Sequence, residues 1–374
     1  MSQTLETEVV KEGTTEVFVL KHTRSKKGPG AKQGAPFYNP AMEANRDLSV
    51  LVAQWLVRHR GVASQLLDGL AASGIRGVRL ANEVDGEFDV TINDWDEDAF
   101  ILIKKNIHHN NLTNACASNK NVNALLLEHM YHYIDVDPFG SPAYFIDAAV
   151  RSIHNNGVIA CTATDTATLC GVYPKVCLRR YGAQPLHSVM MHEIGLRILL
   201  GFLCREAAKY EKGIEPLVCY ACDHYYRVYV RVKNGKRYAN RSVDALSRIS
   251  SNQLTIPPDE HGVAVGPLWI GKLHTKNIVK KLRTDLFTKQ LNTKHELWKM
   301  LSLFEEEAKA PPFFYTTESI ASNLKIHLPR REHIFEKIRE KGYAVWRTQF
   351  MPTGFKTTAP FDEIIEIFQE LNTQ

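Results

Sequence analysis

The sequence predicts an α/β fold, with a mainly parallel sheet within residues 1–234 and a smaller α+β unit over residues 235–374. Three observations predict it. Short apolar or β-branched runs alternate with segments of helical period from residue 37 to residue 232, the pattern of strand–helix–strand units. Successive strand-like runs stop at Gly69, Asp94, Asn121 and Asp137, and ligands of such sheets bind at the carboxyl ends of strands. After about residue 235 the texture changes to basic helical segments and a terminal helix–helix–hairpin order.

Residues 17–20 read as a short strand, followed by a basic Gly/Pro loop through Gly34. Phe37-Tyr-Asn-Pro-Ala-Met42 leads into a helix carrying Asn45, Arg46 and Asp47, with Leu48, Leu51, Val52 and Trp55 at helical spacing. Residues 65–68 form a buried-type strand, and 69–77 a turn of small residues. Residues 88–93 alternate as a second strand ending in Asp94, 99–111 are helical, and 115–122 hold a short third strand. Residues 131–137 are the fourth strand and 157–162 the fifth. A helix at 189–210 precedes one long aromatic strand at 217–232. Beyond it, 266–271 reads as a strand, 276–301 as basic helices, and 317–324, 330–341 and 343–358 as helix, helix and hairpin. Thr317 and Ser319 are candidate caps of the first of these helices, and Pro329 precedes the second. That order resembles a winged helix, a frequent nucleic-acid module.

The chain has 374 residues, 44% of them hydrophobic, enough for two ordinary cores. No apolar run reaches transmembrane length, so no membrane is expected, and residues 1–11 do not read as a signal sequence. Seven cysteines, an odd set, suggest reduced thiols and a cytoplasmic protein, expected to be a monomer. Cys219 and Cys222 form the lone C-x-x-C pair. On a strand that spacing points them to opposite faces, which excludes a shared zinc and reads as core thiols. The net charge of +5 is unevenly spread. Residues 21–32 hold five basic side chains and no acidic one, and 231–299 hold fourteen Lys/Arg against five Asp/Glu. Two basic blocks of this kind point to a polyanion, and here to RNA.

Asp68-Gly-Leu-Ala-Ala-Ser-Gly-Ile-Arg-Gly77 lies between a strand and a helix, where small residues let backbone N–H groups approach a ligand. It lacks the Gly-Lys-Ser/Thr ending of a triphosphate loop. With Asp94 closing the next strand, the pattern suits a nucleoside whose ribose needs an acceptor. S-adenosyl-L-methionine satisfies it, and a nicotinamide dinucleotide or a plain structural turn are the alternatives. Asp137-Pro138-Phe139-Gly140, taken alone, divides evenly between a strand-to-helix turn and an amine-binding motif. The whole series of strand ends has the order of a Rossmann-like class I methyltransferase domain acting on an exocyclic amine. In that reading Asp137 and the Pro138 carbonyl accept the amine hydrogens, and Phe139 stacks on the base.

Nine stretches together resemble one family. They are Phe37 to Met42, Asn45-Arg-Asp47, Asp68 to Arg79, Asn93-Asp94 and Ile134 to Pro142. They continue in Ala163 to Gly171, Tyr181-Gly-Ala, Asp223 to Arg227 and Gly266 to Leu273. On these the chain resembles the tRNA (guanine-26 N2)-dimethyltransferases. The resemblance implies S-adenosyl-L-methionine as methyl donor, tRNA as partner, and N2-methyl- and N2,N2-dimethylguanosine as products. It implies Arg46, Arg76, Asp94, Asn121 and Val122 as cofactor contacts beside Asp68, Asp137 as the amine-side acceptor, and Phe37 and Phe139 as a sandwich around the base.

Two departures from the family stand out. The family pattern usually has Asp before Ala where this chain has Asn121-Val122, and an Asn carbonyl still accepts from an adenine amine. Many members carry a four-cysteine zinc site before Gly-Pro-Leu-Trp, whereas 234–265 holds no cysteine. His261 and His274 make no tetrahedral set, so no structural zinc is expected. Of the single residues, His224 reads as a satisfied core histidine, Asp135 as having a supporting hydrogen-bond role, and Arg179 and Arg180 as phosphate contacts or solvated charges. The rival functions are methylation of another nucleobase or a protein side chain, and a non-catalytic RNA-binding protein that keeps the fold.

Overall fold

The computed structural model describes residues 6–21, 38–222, 224–254 and 262–372. The alternation in the sequence becomes one seven-stranded sheet. Its strands are β1 (Ser64–Asp68), β2 (Phe88–Asn93), β3 (Ala115–Ser118), β4 (Tyr131–Val136), β5 (Ile153–Ala163), β6 (Lys212–Cys222) and β7 (Tyr225–Asn234). They lie in the order β3-β2-β1-β4-β5-β7-β6. β1 to β5 pair in parallel, and β7 runs antiparallel to both β5 and β6. The winding reverses between β1 and β4, which sets Asp68 beside Asp135. The helix after β1 and the helix after β4 pack on opposite faces of the sheet, so a crevice opens at the carboxyl ends of these two strands.

The helices that matter for the site are α1 (Glu43–Arg60), α2 (Ile75–Glu83), α3 (Glu97–His109), α4 (Val122–Glu128), α5 (Ala143–Ser152), α6 (Thr166–Leu169), α7 (Pro174–Tyr181) and α8 (Met191–Ala208). α1 lies between the sheet and the helices Lys276–Asp285 and Lys294–Glu307, and fourteen of its eighteen residues are buried. Its polar residues Asn45, Arg46, Asp47 and Ser49 are among them, and each therefore needs an internal partner. The helix stops at Gly61, whose φ of 64° is the left-handed conformation that glycine adopts without strain.

Several expectations are corrected. The long strand 217–232 is a hairpin, β6 and β7, with Cys222 paired to Tyr225. Sixteen extended residues would span roughly 53 Å, far beyond the eleven-residue strands of this sheet. The reversal instead places β7 between β5 and β6. His224 consequently lies exposed at the hairpin turn, not in the core. Cys222 is exposed too, so of the C-x-x-C pair Cys219 alone is a core thiol. An unanticipated strand, Thr7–Glu12, pairs with Thr15–Leu20. The cap of helix Thr317–Leu324 is Thr316, whose Oγ1 accepts from Ser319 N at 3.2 Å.

Packing onto the sheet continues past residue 235. Val265, Leu268 and Trp269 join the apolar cluster on one face, and Val279, Leu282, Leu301 and Phe304 join the other. A separate cluster, including Ile320, Ile334, Phe355 and Phe368, belongs to the terminal helices and the three-stranded sheet of Tyr315–Thr316, Gly354–Thr357 and Val345–Arg347. A buried ion network rivets that unit to α8. Lys356 Nζ lies 2.7 Å from Glu193 and 2.9 Å from Glu307, and Arg197 donates to Glu193 at 2.7 Å.

Candidate active site

The crevice is floored by the loop after β1. Asp68 ends that strand, and its Oδ2 accepts from Gly77 N at 2.8 Å in the first turn of α2. A Cβ at Gly77 would lie 2.6 Å from Ile92 Cγ1 and 3.1 Å from Asp68 Oδ2, so only glycine brings helix and strand this close. Burial, with help from Asp135 and Asp137, pushes the Asp68 carboxyl up to about 7 against Arg76 and the Gly77 N–H. Gly69 N donates to Asp135 O at 3.0 Å, Ala71 N to Asn93 O at 2.9 Å and Ala72 N to Asp94 Oδ2 at 2.8 Å. The loop is therefore held by three of its own N–H groups, bonded to the ends of β2 and β4. Fully buried Ser73 carries an Oγ with no hydrogen-bond partner among the described residues.

Asp94 uses its other oxygen on Asp96 N at 3.0 Å. Burial raises its carboxyl above the ordinary range, opposed by those backbone donors. Each oxygen keeps a second lone pair for a further donor. Asn121 is exposed at the N-cap of α4, where Oδ1 accepts from Asn123 N at 3.0 Å. Val122 is 3% exposed and packs beneath Gly69, where a Cβ would meet its Cγ2 at 2.9 Å. The residues fit S-adenosyl-L-methionine: a close-approach glycine loop, a carboxylate at the end of β2 and an amide after β3.

Across the crevice, Asp137 follows β4 with its side chain 19% exposed and ion-paired to Arg76 Nη2. Pro138 is buried and Phe139 is 52% exposed. Gly140, at φ 82°, donates from its N to Thr164 Oγ1 at 2.6 Å and accepts from Thr164 N at 2.9 Å. Ser141 Oγ bonds Tyr181 Oη at 2.7 Å, and Tyr181 donates to Asp165 at 2.7 Å. The Asp-Pro-Phe-Gly turn is thus clamped by the Thr164-Asp165 pair that follows β5.

Behind Asp137 lies a buried network. Arg76 Nη1 donates to Asn45 Oδ1 and to Ser49 Oγ, both at 2.7 Å, and its Nε lies 3.6 Å from Asp135. Arg227, wholly buried, grips Asp135 through bonds of 2.9 and 2.6 Å and reaches Ser49 at 3.1 Å. Burial alone would raise the Asp135 carboxyl, but Arg227 and Arg76 outweigh it and hold it below the usual range. Tyr133 Oη also donates to Asp135 at 2.8 Å.

The structure brings Asp68, Arg76, Asp94, Asn121, Val122 and Asp137 to Phe139 to neighbouring strand ends. Arg46 is engaged one layer away, by Glu12 at 2.7 and 2.5 Å and by Asn39 O at 3.0 Å. Phe37, the basic residues 22–32 and His261 lie outside the described residues. The sequence reading gave no role to Arg227, Ser49, Asn93 or Thr164. Arg227 carried a signal, a single cation inside the apolar run Tyr225 to Val230, which burial turns into a demand for a carboxylate. Asn93 staples the loops, donating to Gly69 O and Lys120 O, both at 3.0 Å.

His274 is 1% exposed and stacked 4.5 Å from Phe304, and burial pushes its imidazole down to about 3. Among the described residues no group of three or more His, Cys, Asp or Glu is placed to hold a metal ion. No helix among them is long and apolar enough to cross a membrane.

Residues 19–369 match the family described as N2,N2-dimethylguanosine tRNA methyltransferase. A tRNA (guanine(26)-N(2))-dimethyltransferase of Pyrococcus horikoshii is 38% identical, over 90% of this chain and 92% of that protein. The enzyme of the same description from Thermococcus kodakarensis is 37% identical, over 98% of this chain and 100% of its own. Among solved structures, Trm1 from Pyrococcus horikoshii in complex with S-adenosyl-L-methionine superposes with a TM-score of 0.83 at 35% identity, covering 96% of this chain and 99% of that one.

Proposed function

The chain belongs to the N2,N2-dimethylguanosine tRNA methyltransferase family, and from that premise we propose that its chemistry takes place between the carboxyl ends of β1 and β4. It is a tRNA (guanine-26 N2)-dimethyltransferase that uses S-adenosyl-L-methionine. The observation that carries the site assignment is Asp137, a partly exposed carboxylate oriented by a buried arginine, beside the exposed ring of Phe139.

Bound S-adenosyl-L-methionine supplies an electrophilic methyl group. Asp94 holds its ribose, Asn121 and Val122 its adenine, and Asp68 and Arg76 shape the loop around it, with Arg46 supporting from the neighbouring network. Guanine N2 is a poor nucleophile because its lone pair is delocalised into the ring. Asp137 and the Pro138 carbonyl each accept one N2 hydrogen, which draws the nitrogen towards sp³ geometry. Asp137 then takes the proton released on transfer. Phe139, with Phe37 opposite, fixes the plane of the base, so positioning supplies much of the remaining acceleration. After the first transfer only one N–H is left, and Asp137 is the acceptor that must retain it.

The proposal divides the chain into a catalytic unit, 1–234, and an RNA-gripping unit, 235–374. The excess of basic residues over 231–299 supports the RNA-gripping role, while the core that is separate from the sheet begins only at Tyr315, the helices within 276–301 packing on the sheet's own cluster. It also takes the protein to act as a cytoplasmic monomer, the compartment being supported by an odd set of seven cysteines, five of them buried. The direct test is incubation of unmodified tRNA transcript with protein and S-adenosyl-L-methionine, followed by mapping of the modified nucleoside. Product anywhere but at N2 of guanosine 26 would refute it. The affinity for tRNA should also fall steeply with salt, by roughly a thousandfold between 50 and 200 mM if about six phosphates are contacted. A flat response would remove the basic blocks from the RNA surface.

A further inference from the structure

Between Thr166 and His192 the chain carries Lys175, Arg179 and Arg180 and no Asp or Glu. Within this stretch α7 buries only Cys177 and Tyr181, and leaves Lys175, Leu178 and Arg179 exposed. Tyr173, at its N-cap, is 56% exposed, and Leu178 is 52% exposed. Large apolar side chains grouped at a surface mark a contact site more often than isolated ones do.

This surface is built into the rim of the catalytic crevice. Arg180 Nη1 donates to Asp165 at 3.1 Å, and Tyr181 joins Asp165 to Ser141 of the catalytic turn. Tyr144, the second residue of α5, is 66% exposed, three residues after Ser141 on the same turn-to-helix segment. From that anchor α7 rises about 12 Å to Tyr173. Exposed aromatic faces interleaved with cations, and continuous with a nucleobase site, match a single-stranded RNA platform. A protein partner would account for the apolar area, but not for Lys175 and Arg179, exposed on a helix that itself carries no acid.

We infer that the rim formed by Tyr144 and α7 binds the RNA strand flanking the target guanosine. Tyr173 and Tyr144 stack on neighbouring bases that lose a stacking partner when the guanosine is turned out, and Lys175 and Arg179 meet their phosphates. The inference rests on the methyltransferase reading above.

The test measures steady-state methylation of unmodified tRNA transcript, and tRNA binding across a salt series, for the wild type, Tyr173→Ala, Tyr173→Phe and Arg179→Glu. Tyr173→Ala should raise KM and Kd for tRNA about tenfold, without changing the affinity for S-adenosyl-L-methionine. Tyr173→Phe keeps the ring and should behave as wild type. Arg179→Glu should reduce the slope of log affinity against log salt by about one. If the wild type forms N2-methylguanosine while Tyr173→Ala and Arg179→Glu bind tRNA within twofold of it, the platform is refuted and the patch is left to a protein partner. A wild type that forms no N2-methylguanosine refutes the methyltransferase reading and the platform with it.

Discussion

Two buried ion networks lie on opposite faces of the sheet, built from the same chemistry and ending differently. On the α1 face, Arg227, Asp135, Arg76 and Asp137 form a chain whose last member is 19% exposed. On the α8 face, Arg197, Glu193, Lys356 and Glu307 form a chain in which no side chain is more than 2% exposed. Burying charges is costly in either place unless each is paired. The closed network spends its pairing on holding the terminal unit against α8. The open one spends it on presenting a single carboxylate, in one orientation, at the mouth of a crevice. Perturbed buried charges alone therefore do not separate structure from function here; the exposed end of the chain does.

The comparison breaks most visibly at Asp137. Asp137→Ala should lower the single-turnover rate of methyl transfer by roughly 10²- to 10⁴-fold, the usual worth of a positioned proton acceptor. Affinity for S-adenosyl-L-methionine, measured by calorimetry, should stay close to that of the wild type. Full activity in this variant would remove the open network from the mechanism.

Lys356→Met probes the closed network. It leaves Glu193 and Glu307 short of a cation and should cost about 3–5 kcal/mol of stability, seen as a lower denaturation midpoint. At a temperature where the variant is folded, kcat should match that of the wild type. A loss of kcat without a loss of stability would mean that the two networks are not distinct.

The smallest effect concerns pH and Asp68. Its folded carboxyl is raised to about 7, above its unfolded value of about 3.9, so between those values the folded state binds more protons than the unfolded one. Stability from this group is therefore present at low pH and is lost as pH rises towards 7, by up to about 1.4 kcal/mol per pH unit. Asp68→Asn keeps an acceptor for Gly77 N and removes the titration. The difference in stability between wild type and variant should change between pH 5 and 7 and level off above it. A difference that is flat over that range would place Asp68 outside the charged cluster of the open network.

Much of the candidate site was legible before the fold. Gly69 to Gly77, Asp94, Asn121 and Asp137 to Gly140 announced themselves because strand ends are local events, marked by glycine, proline and acidic residues where an apolar run stops. What was missed is long-range. The run 217–232 reads as one strand because nothing in its periodicity marks the reversal that pairs Cys222 with Tyr225. Arg227 reads as an interruption of an apolar strand until Asp135, 92 residues away, is seen to receive it. Thr164 gains its role only from the turn it clamps, 24 residues earlier.

By itself, the sequence determined which residues end the strands, and therefore which chemistry can gather at the carboxyl edge of the sheet. Alternation and turn residues encode that locally. Only the tertiary structure decided which charges pair. Arg76, expected at the cofactor, is shared among Asp137, Asp135, Asn45 and Ser49, and Arg46 turns to Glu12. A guanidinium has several carboxylates within reach along a chain of this length, and the choice among them is made by burial. Once water is excluded, each charge takes the partner that packing has brought beside it.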